Sequence, residues 1–538
     1  MKKLQSHILL FALLIGSAIA AQTPLTEERL RPGEIRDTEV PEAVNEPSSN
    51  VTVSIEPKDL PPILIRGIKF EGTSVPANVA DAARPFIART ITKDALNELA
   101  AALTAAYEQS PIALFTIVIP DQAFENGVVR VLVAEGHIEN FSFSGETENR
   151  NHYLITAYAE RLTAETPLSR ATLERSLSLM SDIPGVAVKP TLSYGSAPGA
   201  VRLDLALDYK KPTVSFGFNN RTSRLIRDGQ FTAQAKAYRL LRDGDVTSLN
   251  LAAAANFKDS RYAGISHSTP IGANGVRLDA SAAILQSRPK DSVISGDAQL
   301  YSGGVTVPVI RSYKRNLSVR ASLDAVNSDN AAFGSLIATE RTRAARLAAT
   351  LSLLSKKRIA KLSATASQGI DMMGAEVSPI IGDKTYTKLS GDIYVLQKIG
   401  SEGRLTFTGG GQWTDDNLPA NERFSIGGAR YGRAFSAGLI NADRGFGLLL
   451  EPAWRPFNGD FGKSELYAFI DYAHADVFAR SATADQSYDL GSVGGGIRAA
   501  YKDKGFIELE LAHPYDQPVP GFDQDWRFSV NWRLDIRP

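Results

Sequence analysis

From about residue 212 to the C-terminus, apolar and polar positions alternate one by one. Leu317, Val319, Ala321 and Leu323 alternate with Asn316, Ser318, Arg320, Ser322 and Asp324. Leu347, Ala349, Leu351 and Leu353 alternate with Arg346, Ala348, Thr350 and Ser352, and Ile507, Leu509 and Leu511 alternate with Glu508 and Glu510. The last segment puts Trp526, Phe528, Val530, Trp532, Leu534 and Ile536 on one side and Arg527, Ser529, Asn531, Arg533 and Asp535 on the other. A period of two predicts strands of a sheet with one oily and one polar face. About sixteen such segments of roughly ten residues can be counted, and ten is the length a tilted strand needs to cross a bilayer. Short turns (Arg242-Asp243-Gly244, Gly272-Ala273-Asn274-Gly275, Lys502-Asp503-Lys504) alternate with longer loops, and Trp413 and Trp454 fall near strand ends. Short turns on one side, long loops on the other and aromatic girdles are the marks of a transmembrane antiparallel β-barrel, expected here over residues 211–538. A soluble sandwich or propeller also alternates. Strands this long, with charge on one face only, favour the barrel.

Before residue 210 the period is helical and the chain reads as two copies of one unit. Each copy opens on a strand that ends aromatic-x-Gly: Ile68-Lys69-Phe70-Glu71-Gly72, then Phe141-Ser142-Phe143-Ser144-Gly145. Each carries two helical segments. The clearest are Thr92–Tyr107, with Leu96, Leu99 and Leu103 on one face and Thr92 as N-cap, and Ser169–Met180, with Leu173, Leu177 and Met180 on one face. Each closes with two strands, 113–119 and 128–134, then 186–193 and 201–207. The order β-α-α-β-β over about 75 residues predicts two small α+β modules, 60–136 and 137–210.

The N-terminus reads as an export signal over residues 1–20: Lys2 and Lys3, an apolar run from Ile8 to Ile15, then Ala18-Ile19-Ala20 as cleavage site. Residues 21–59, with Pro24, Pro32, Pro41, Pro47 and Pro57, read as a linker with one short helix around Thr26–Leu30. No later segment has the ~18 apolar residues of a spanning helix. Lys plus Arg balance Asp plus Glu at 59 each, so charge points to no nucleic acid. The absence of cysteine removes disulfides, thiolate nucleophiles and thiolate metal sites.

A barrel of about sixteen strands has a lumen wide enough to leak, so something must plug it. The longest loop, Asp415 to Asp443, carries Phe424-Ser425-Ile426-Gly427-Gly428-Ala429-Arg430-Tyr431-Gly432-Arg433-Ala434-Phe435. Its glycines permit a folded-back path. An arginine held inside a lumen needs a carboxylate. Glu451, and Asp471 in Phe469-Ile470-Asp471-Tyr472-Ala473, are available on the following strands. A bidentate Arg433–Asp471 lock between loop and wall is the sharp expectation, and a solvated Arg433 is the plain one. No catalysis, cofactor or metal is expected. The six histidines form no H-E-x-x-H, Gly462-Lys463-Ser464 has Phe457 where a phosphate loop needs its first glycine, and Gly491–Gly496 lies in an alternating strand.

Over residues 60–538 the chain resembles the outer-membrane transporters of bacterial two-partner secretion, the haemolysin and filamentous-adhesin exporters. Pro120-Asp121-Gln122, Gly127 and Val129-Arg130-Val131-Leu132-Val133-Ala134-Glu135-Gly136-His137-Ile138 resemble that family's first POTRA domain, and Asp182-Ile183-Pro184-Gly185 its second. The resemblance implies an outer-membrane protein with two periplasmic POTRA domains that capture an unfolded exoprotein. It also implies a sixteen-stranded barrel that secretes that exoprotein. A loop motif arginine, here Arg433 with Phe435 as motif aromatic, pairs in the family with a strand aspartate, here Asp471. The motif departs from the family in Gly432 for valine and Ala434 for glycine, and the chain ends Ile536-Arg537-Pro538 without the usual terminal aromatic. Expected partners are the exoprotein, outer-membrane lipid and, for insertion, the barrel-assembly machinery, with the transporter itself a monomer. Substrate is expected at POTRA strand edges, with Phe141, Phe143, Val186 and Val188 as candidates. A barrel-assembly factor and a diffusion porin are the rival functions. Two modules rather than more favour secretion over assembly, and a porin has none.

Overall fold

The computed structural model describes Val51–Val53 and residues 63–536, apart from 146–151, 225, 227, 291–292, 334, 460–461, 481–483, 503, 519–521 and 523. The export signal and most of the linker lie outside the described residues. The described chain divides into two compact units, one holding the repeats and one the barrel.

In the repeat unit, the first module contains strands β1 (Val51–Val53) and β2 (Gly67–Glu71) and helices α1 (Ala77–Ala83) and α2 (Lys93–Glu108). Strands β3 (Phe115–Ile119) and β4 (Val128–Glu135) complete it. Thr92 caps α2, its hydroxyl oxygen accepting the Ala95 N–H at 3.1 Å. The apolar stripe Leu96, Leu99, Leu103 and Tyr107 is fully buried and joins one core with Ile117, Ile119, Val129 and Val131. The Gln122 side chain stands in for a strand residue: its amide donates to the Arg130 carbonyl at 2.9 Å and accepts the Arg130 N–H at 2.8 Å. The sheet order is β1-β3-β4-β2.

The second module repeats the plan with β5 (His137–Gly145), α3 (Tyr153–Thr163), α4 (Arg170–Ser181), β6 (Val186–Tyr194) and β7 (Ala200–Tyr209), in sheet order β5-β7-β6. The structure explains the glycine that ends each opening strand. Gly72 and Gly145 have φ of +106° and +80°, and a Cβ on either would sit 2.3 or 2.5 Å from the carbonyl oxygen of Val133 or Leu207.

In the other unit, sixteen long strands run from Thr213–Asn219 to Arg527–Ile536, and those two pair antiparallel to close the wall (Asn531↔Asn219 to Ile536↔Val214). A two-residue strand, Glu376–Val377, adds to the wall from a loop. The period-two reading holds residue by residue. On the strand Gly505–Asp516, Ile507, Leu509 and Leu511 are 43%, 38% and 45% exposed, while Glu508 and Glu510 are each 1% exposed. The oily row faces outward and the carboxylates face the lumen. Trp413 and Trp526 are exposed at strand ends, where a girdle places them, and Trp454 is exposed opposite the start of the strand Gly403–Trp413. One expectation is exceeded: the hairpin Arg315–Ala332 and Ser335–Leu354 has strands of 18 and 20 residues, about twice what a bilayer demands. Among the described residues no helix is long and apolar enough to cross a membrane.

Ile470 lies in the outward row of the strand Gly462–Val477. Ile470→Arg is expected to cost about 2–4 kcal/mol if the site is at mid-membrane. The check is the heat-modifiable, folded fraction of the barrel in outer-membrane extracts, which should fall, while Ile470→Leu leaves it unchanged.

Candidate functional site: the loop held in the barrel

The segment between the strands Gly403–Trp413 and Arg444–Gly459 folds back on itself. Phe424–Ile426 pairs antiparallel with Ile440–Ala442 as a small ribbon. Between them the chain reverses at Gly427 and Gly428, whose φ values of +93° and +104° are open to glycine alone at little cost. Gly432 also lies at φ +72°, a conformation that a β-branched residue would adopt only under strain. Phe435 is fully buried in a cluster with Ile426, Ile440, Leu449, Phe469 and Leu490, and anchors the tip by burial.

The structure brings Gly432, Arg433, Ala434, Phe435, Phe469 and Asp471 together, as expected from sequence, but with different bonds. Asp471 does not grip the Arg433 guanidinium. Its two oxygens accept the backbone N–H groups of Gly432 at 2.7 Å and Arg433 at 3.1 Å. The Ala434 N–H donates to the Ser492 hydroxyl at 3.1 Å. The guanidinium reaches past Asp471. Its Nη1 lies 3.0 Å from both Glu451 and Glu510, its Nε donates to the Ala429 carbonyl at 3.2 Å, and its plane stands 4.6 Å from the Phe469 ring. The bidentate lock is therefore corrected to a divided one. The carboxylate holds the turn by its backbone, and the arginine holds two other carboxylates. The reason is geometric: a turn with positive φ points successive N–H groups to one side, making a small anion-binding concavity that a carboxylate fills.

Around Arg433 is a larger charged network. Arg498 binds Glu451 with both Nη atoms at 2.6 and 3.0 Å, Glu465 at 3.0 Å and Glu508 at 2.9 Å, and lies over the Tyr467 ring. Arg221 meets Glu510 at 2.9 Å and Arg455 meets Glu465 at 3.3 Å; Arg404 also binds Glu465. Tyr467 donates to Glu510 at 2.8 Å. Among the described residues the network sets Arg221, Arg404, Arg433, Arg455 and Arg498 against Glu451, Glu465, Glu508 and Glu510, while Asp471 meets backbone N–H groups. Each of the five arginines lies against at least one carboxylate, which offsets the cost of burying it.

The base of the loop has a second tether. Glu422 binds Arg346 at 2.7 Å and Lys388 at 2.9 Å. Burial alone would raise the Glu422 carboxyl, but these two cations hold it down at about 2. Asp443 accepts the N–H groups of Leu418 at 2.8 Å and Phe478 at 2.9 Å and binds Arg480 at 2.7 Å. Glu510, Arg498, Arg221, Glu422 and Asp443 were not singled out from sequence. Their one legible trace is that charges of both signs occupy the lumen parity of several strands.

The substrate candidates lie elsewhere. Phe141 and Phe143 sit on β5, with ring centroids 5.6 Å apart, and Val186 and Val188 on β6. Val186 is buried, so its side chain is core and only its backbone is at an edge.

Residues 200–499 match the family described as haemolysin secretion/activation protein ShlB/FhaC/HecB. The chain belongs to that family. It is an outer-membrane translocator of two-partner secretion, and its partner is a secreted exoprotein. Residues 63–136 match the POTRA domain of ShlB type. The heme/hemopexin transporter protein HuxB of Haemophilus influenzae strain 86-028NP is 21% identical over 469 residues, covering 82% of this chain and 80% of the relative. Among solved structures, CdiB from Escherichia coli is similar at a TM-score of 0.71 and 16% identity, covering 99% of this chain and 97% of the other. BamA from Haemophilus ducreyi lacking POTRA domains 1–3 is similar at 0.52 and 12% identity, covering 88% and 99%. These two likenesses concern the fold.

Asp471→Asn keeps the volume but leaves one oxygen where two accepted N–H groups. The expected loss is about 1.5–3 kcal/mol of loop docking. Protease cleavage within residues 427–436 of the inserted transporter should become faster than in the wild type, and Asp471→Glu should not restore the wild-type rate, because its longer arm displaces both oxygens.

Proposed function

We propose that the loop 415–443 gates the exoprotein path, that Arg433 and Asp471 hold it in the closed position, and that the POTRA modules capture the unfolded exoprotein by pairing with its backbone. The observation that carries the gate is the divided lock: a buried set of ion pairs and backbone hydrogen bonds between the loop tip and the wall of a sixteen-stranded barrel. Such a set has two stable conditions. It is satisfied when the loop is docked, and when the loop lifts, the arginine finds water. Removing one partner alone leaves buried charge unpaired, which costs about 3–5 kcal/mol. The gate is therefore held strongly by the whole network and weakly by any depleted version of it.

Capture by strand pairing suits a substrate whose side chains vary, because the bonds are to backbone. Both β5 and β6 are edge strands of a three-stranded sheet. Transport by this route involves no chemical step in the barrel, and folding of the exoprotein outside the cell supplies direction. The transporter works as a monomer, seated in outer-membrane lipid after insertion by the barrel-assembly machinery.

Arg433→Ala tests the gate. Secretion of the exoprotein should fall at least tenfold, or the conductance of the transporter in planar bilayers should change from wild type, with the folded barrel present at normal level. Normal export together with normal conductance would remove the lock from the mechanism. Arg433→Lys should rescue only in part, since one ammonium cannot hold two carboxylates and the Ala429 carbonyl in the guanidinium geometry.

A further inference from the structure

The lock accounts for charges inside the barrel, but a second set of charges stands on its turns. The chain enters the wall at Thr213, directly after the periplasmic modules. Among the sixteen long strands, the turns from an even-numbered strand to the next odd one therefore lie on the periplasmic side. Three consecutive turns of this kind are basic. Residues 312–314 join Ile294–Arg311 to Arg315–Ala332, residues 355–357 join Ser335–Leu354 to Arg358–Gly369, and residues 400–402 join Thr387–Ile399 to Gly403–Trp413. They bring Lys314, Arg315, Lys356, Lys357, Arg358 and Lys398 to one arc of the rim. The turns are tied edge to edge, since the Leu354 N–H donates to the Lys314 carbonyl at 2.7 Å and the Lys398 N–H to the Lys357 carbonyl at 2.8 Å. Other turns on that side differ. Arg239 meets Asp243 at 3.3 Å, residues 272–275 carry no charge, and Lys502-Asp503-Lys504 mixes the signs.

Turn chemistry does not explain these cations. Ser355 and Arg358 close a two-residue turn: the Ser355 N–H donates to the Arg358 carbonyl at 2.8 Å, and the Arg358 N–H to the Ser355 hydroxyl at 3.0 Å. Its tip is Lys356-Lys357, and neither residue has a positive φ. Such tips favour Asn, Asp and Gly, so two lysines there add charge rather than a better turn. Partners within the protein do not explain them either. Lys314, Lys356, Lys357 and Lys398 are exposed and form no ion pair with a described residue, and Arg358 donates to the neutral Gln397 side chain at 2.8 Å. Glu402, the one carboxylate on the three turns, accepts the Trp454 indole N–H at 2.9 Å. That indole also marks the height of the patch. Ile399, Gly403 and Trp454 are successive register partners across three strands, and Trp454 is exposed on the outward face beside Lys398's end of the wall. An indole of this kind belongs at the head-group level of a bilayer. Arg315 pairs with the outward-facing, exposed Leu353, and Arg358 shares the outward row of the exposed Leu362. The cations thus begin where the oily rows end.

We propose that this arc is a binding site for the phosphate groups of anionic phospholipids in the periplasmic leaflet of the outer membrane. The fit is one of charge and height. The apolar rows of the same strands meet acyl chains, and the cations stand where the phosphates lie. Long Lys and Arg stems span the short distance between the two along apolar surface. The guanidinium groups of Arg315 and Arg358 suit two phosphate oxygens each, and the lysines add point charge. Each basic residue close to an anionic surface strengthens binding roughly fivefold, so the cluster gathers this class of lipid beside it and the mixed or neutral turns do not. The arc lies on the seventh to tenth of the sixteen strands, whereas the carboxylates of the lock lie on the twelfth to fifteenth. Lipid therefore holds the part of the wall that does not carry the lock, and the two can be altered separately.

The test uses the full-length transporter in micelles of an uncharged detergent. The probes are fluorescent phosphatidylglycerol, which is anionic, and fluorescent phosphatidylcholine, which is zwitterionic. The wild type should bind the anionic probe about tenfold more tightly or better, and about 1 M salt should remove most of that difference. Lys356→Gln with Lys357→Gln, both at an exposed turn tip, should raise the Kd for phosphatidylglycerol about tenfold or more and leave that for phosphatidylcholine unchanged. Lys356→Arg with Lys357→Arg keeps the charge and should bind as the wild type does. Lys502→Gln with Lys504→Gln, on a turn of mixed sign, should shift the Kd by less than about twofold. Heat-modifiable mobility reports that each variant is folded. Equal affinity of the wild type for the two lipids would overturn the proposal, and so would normal phosphatidylglycerol binding by the folded Lys356→Gln, Lys357→Gln variant. If that variant keeps its lipid and loses instead the binding of a soluble polyglutamate peptide, the arc is a protein-docking surface and the lipid assignment is wrong.

Discussion

A sheet that crosses lipid must pair every backbone N–H and C=O within itself, and that demand shapes the whole C-terminal unit. It closes the wall, with the last strand paired to the first. Closure separates two faces, and the alternation along each strand assigns one to lipid and one to a wet bore. Once the bore exists, polar and charged side chains have a place to collect, and a loop long enough to enter it has something to bind.

The interior charges then solve a problem that closure creates. A bore of this width leaks unless blocked, and a blocking loop must be held without becoming permanent. Burial of Phe435 supplies part of the hold, without direction. The directional part comes from Asp471 on the backbone of the turn, from Arg433 on Glu451 and Glu510, and from Glu422 and Asp443 at the base. Because Arg498 and Arg221 share the same carboxylates, no pair stands alone. The cost of moving one charge is spread over the network. On the proposed reading, the cluster holds the loop in place and releases it when a large substrate competes.

The POTRA unit uses the other consequence of backbone pairing. In lipid an open edge is forbidden, but in water it can pair with another chain. The barrel removes its edges by closing, while the modules keep edge strands that the proposed capture would use. One edge is paired with the chain's own upstream segment Val51–Val53, and the proline-bearing edge, β6 with Pro190, has no further neighbouring strand among the described residues.

Much of this was legible in the residues, and the part that was not has a physical reason. Period-two patterning determined the barrel and which side chains face lipid, because a strand's faces alternate whatever surrounds it. The repeat signature, with its aromatic-x-Gly strand ends and capped helices, determined the two modules, because caps and positive-φ glycines are local requirements. The loop and the residues that meet at its tip were legible from length, glycine content and family motif. Which atom binds which was not. Asp471 meeting backbone rather than guanidinium, and Arg433 passing on to Glu451 and Glu510, depend on how strands far apart in sequence stack their lumen rows. Val51–Val53 read as linker because three residues carry no periodicity. Only the partner strand, some 65 residues away, makes it a strand at all. Local geometry is written in neighbouring residues, whereas pairing across a closed wall or a sheet edge is decided by register, which only the assembled fold sets.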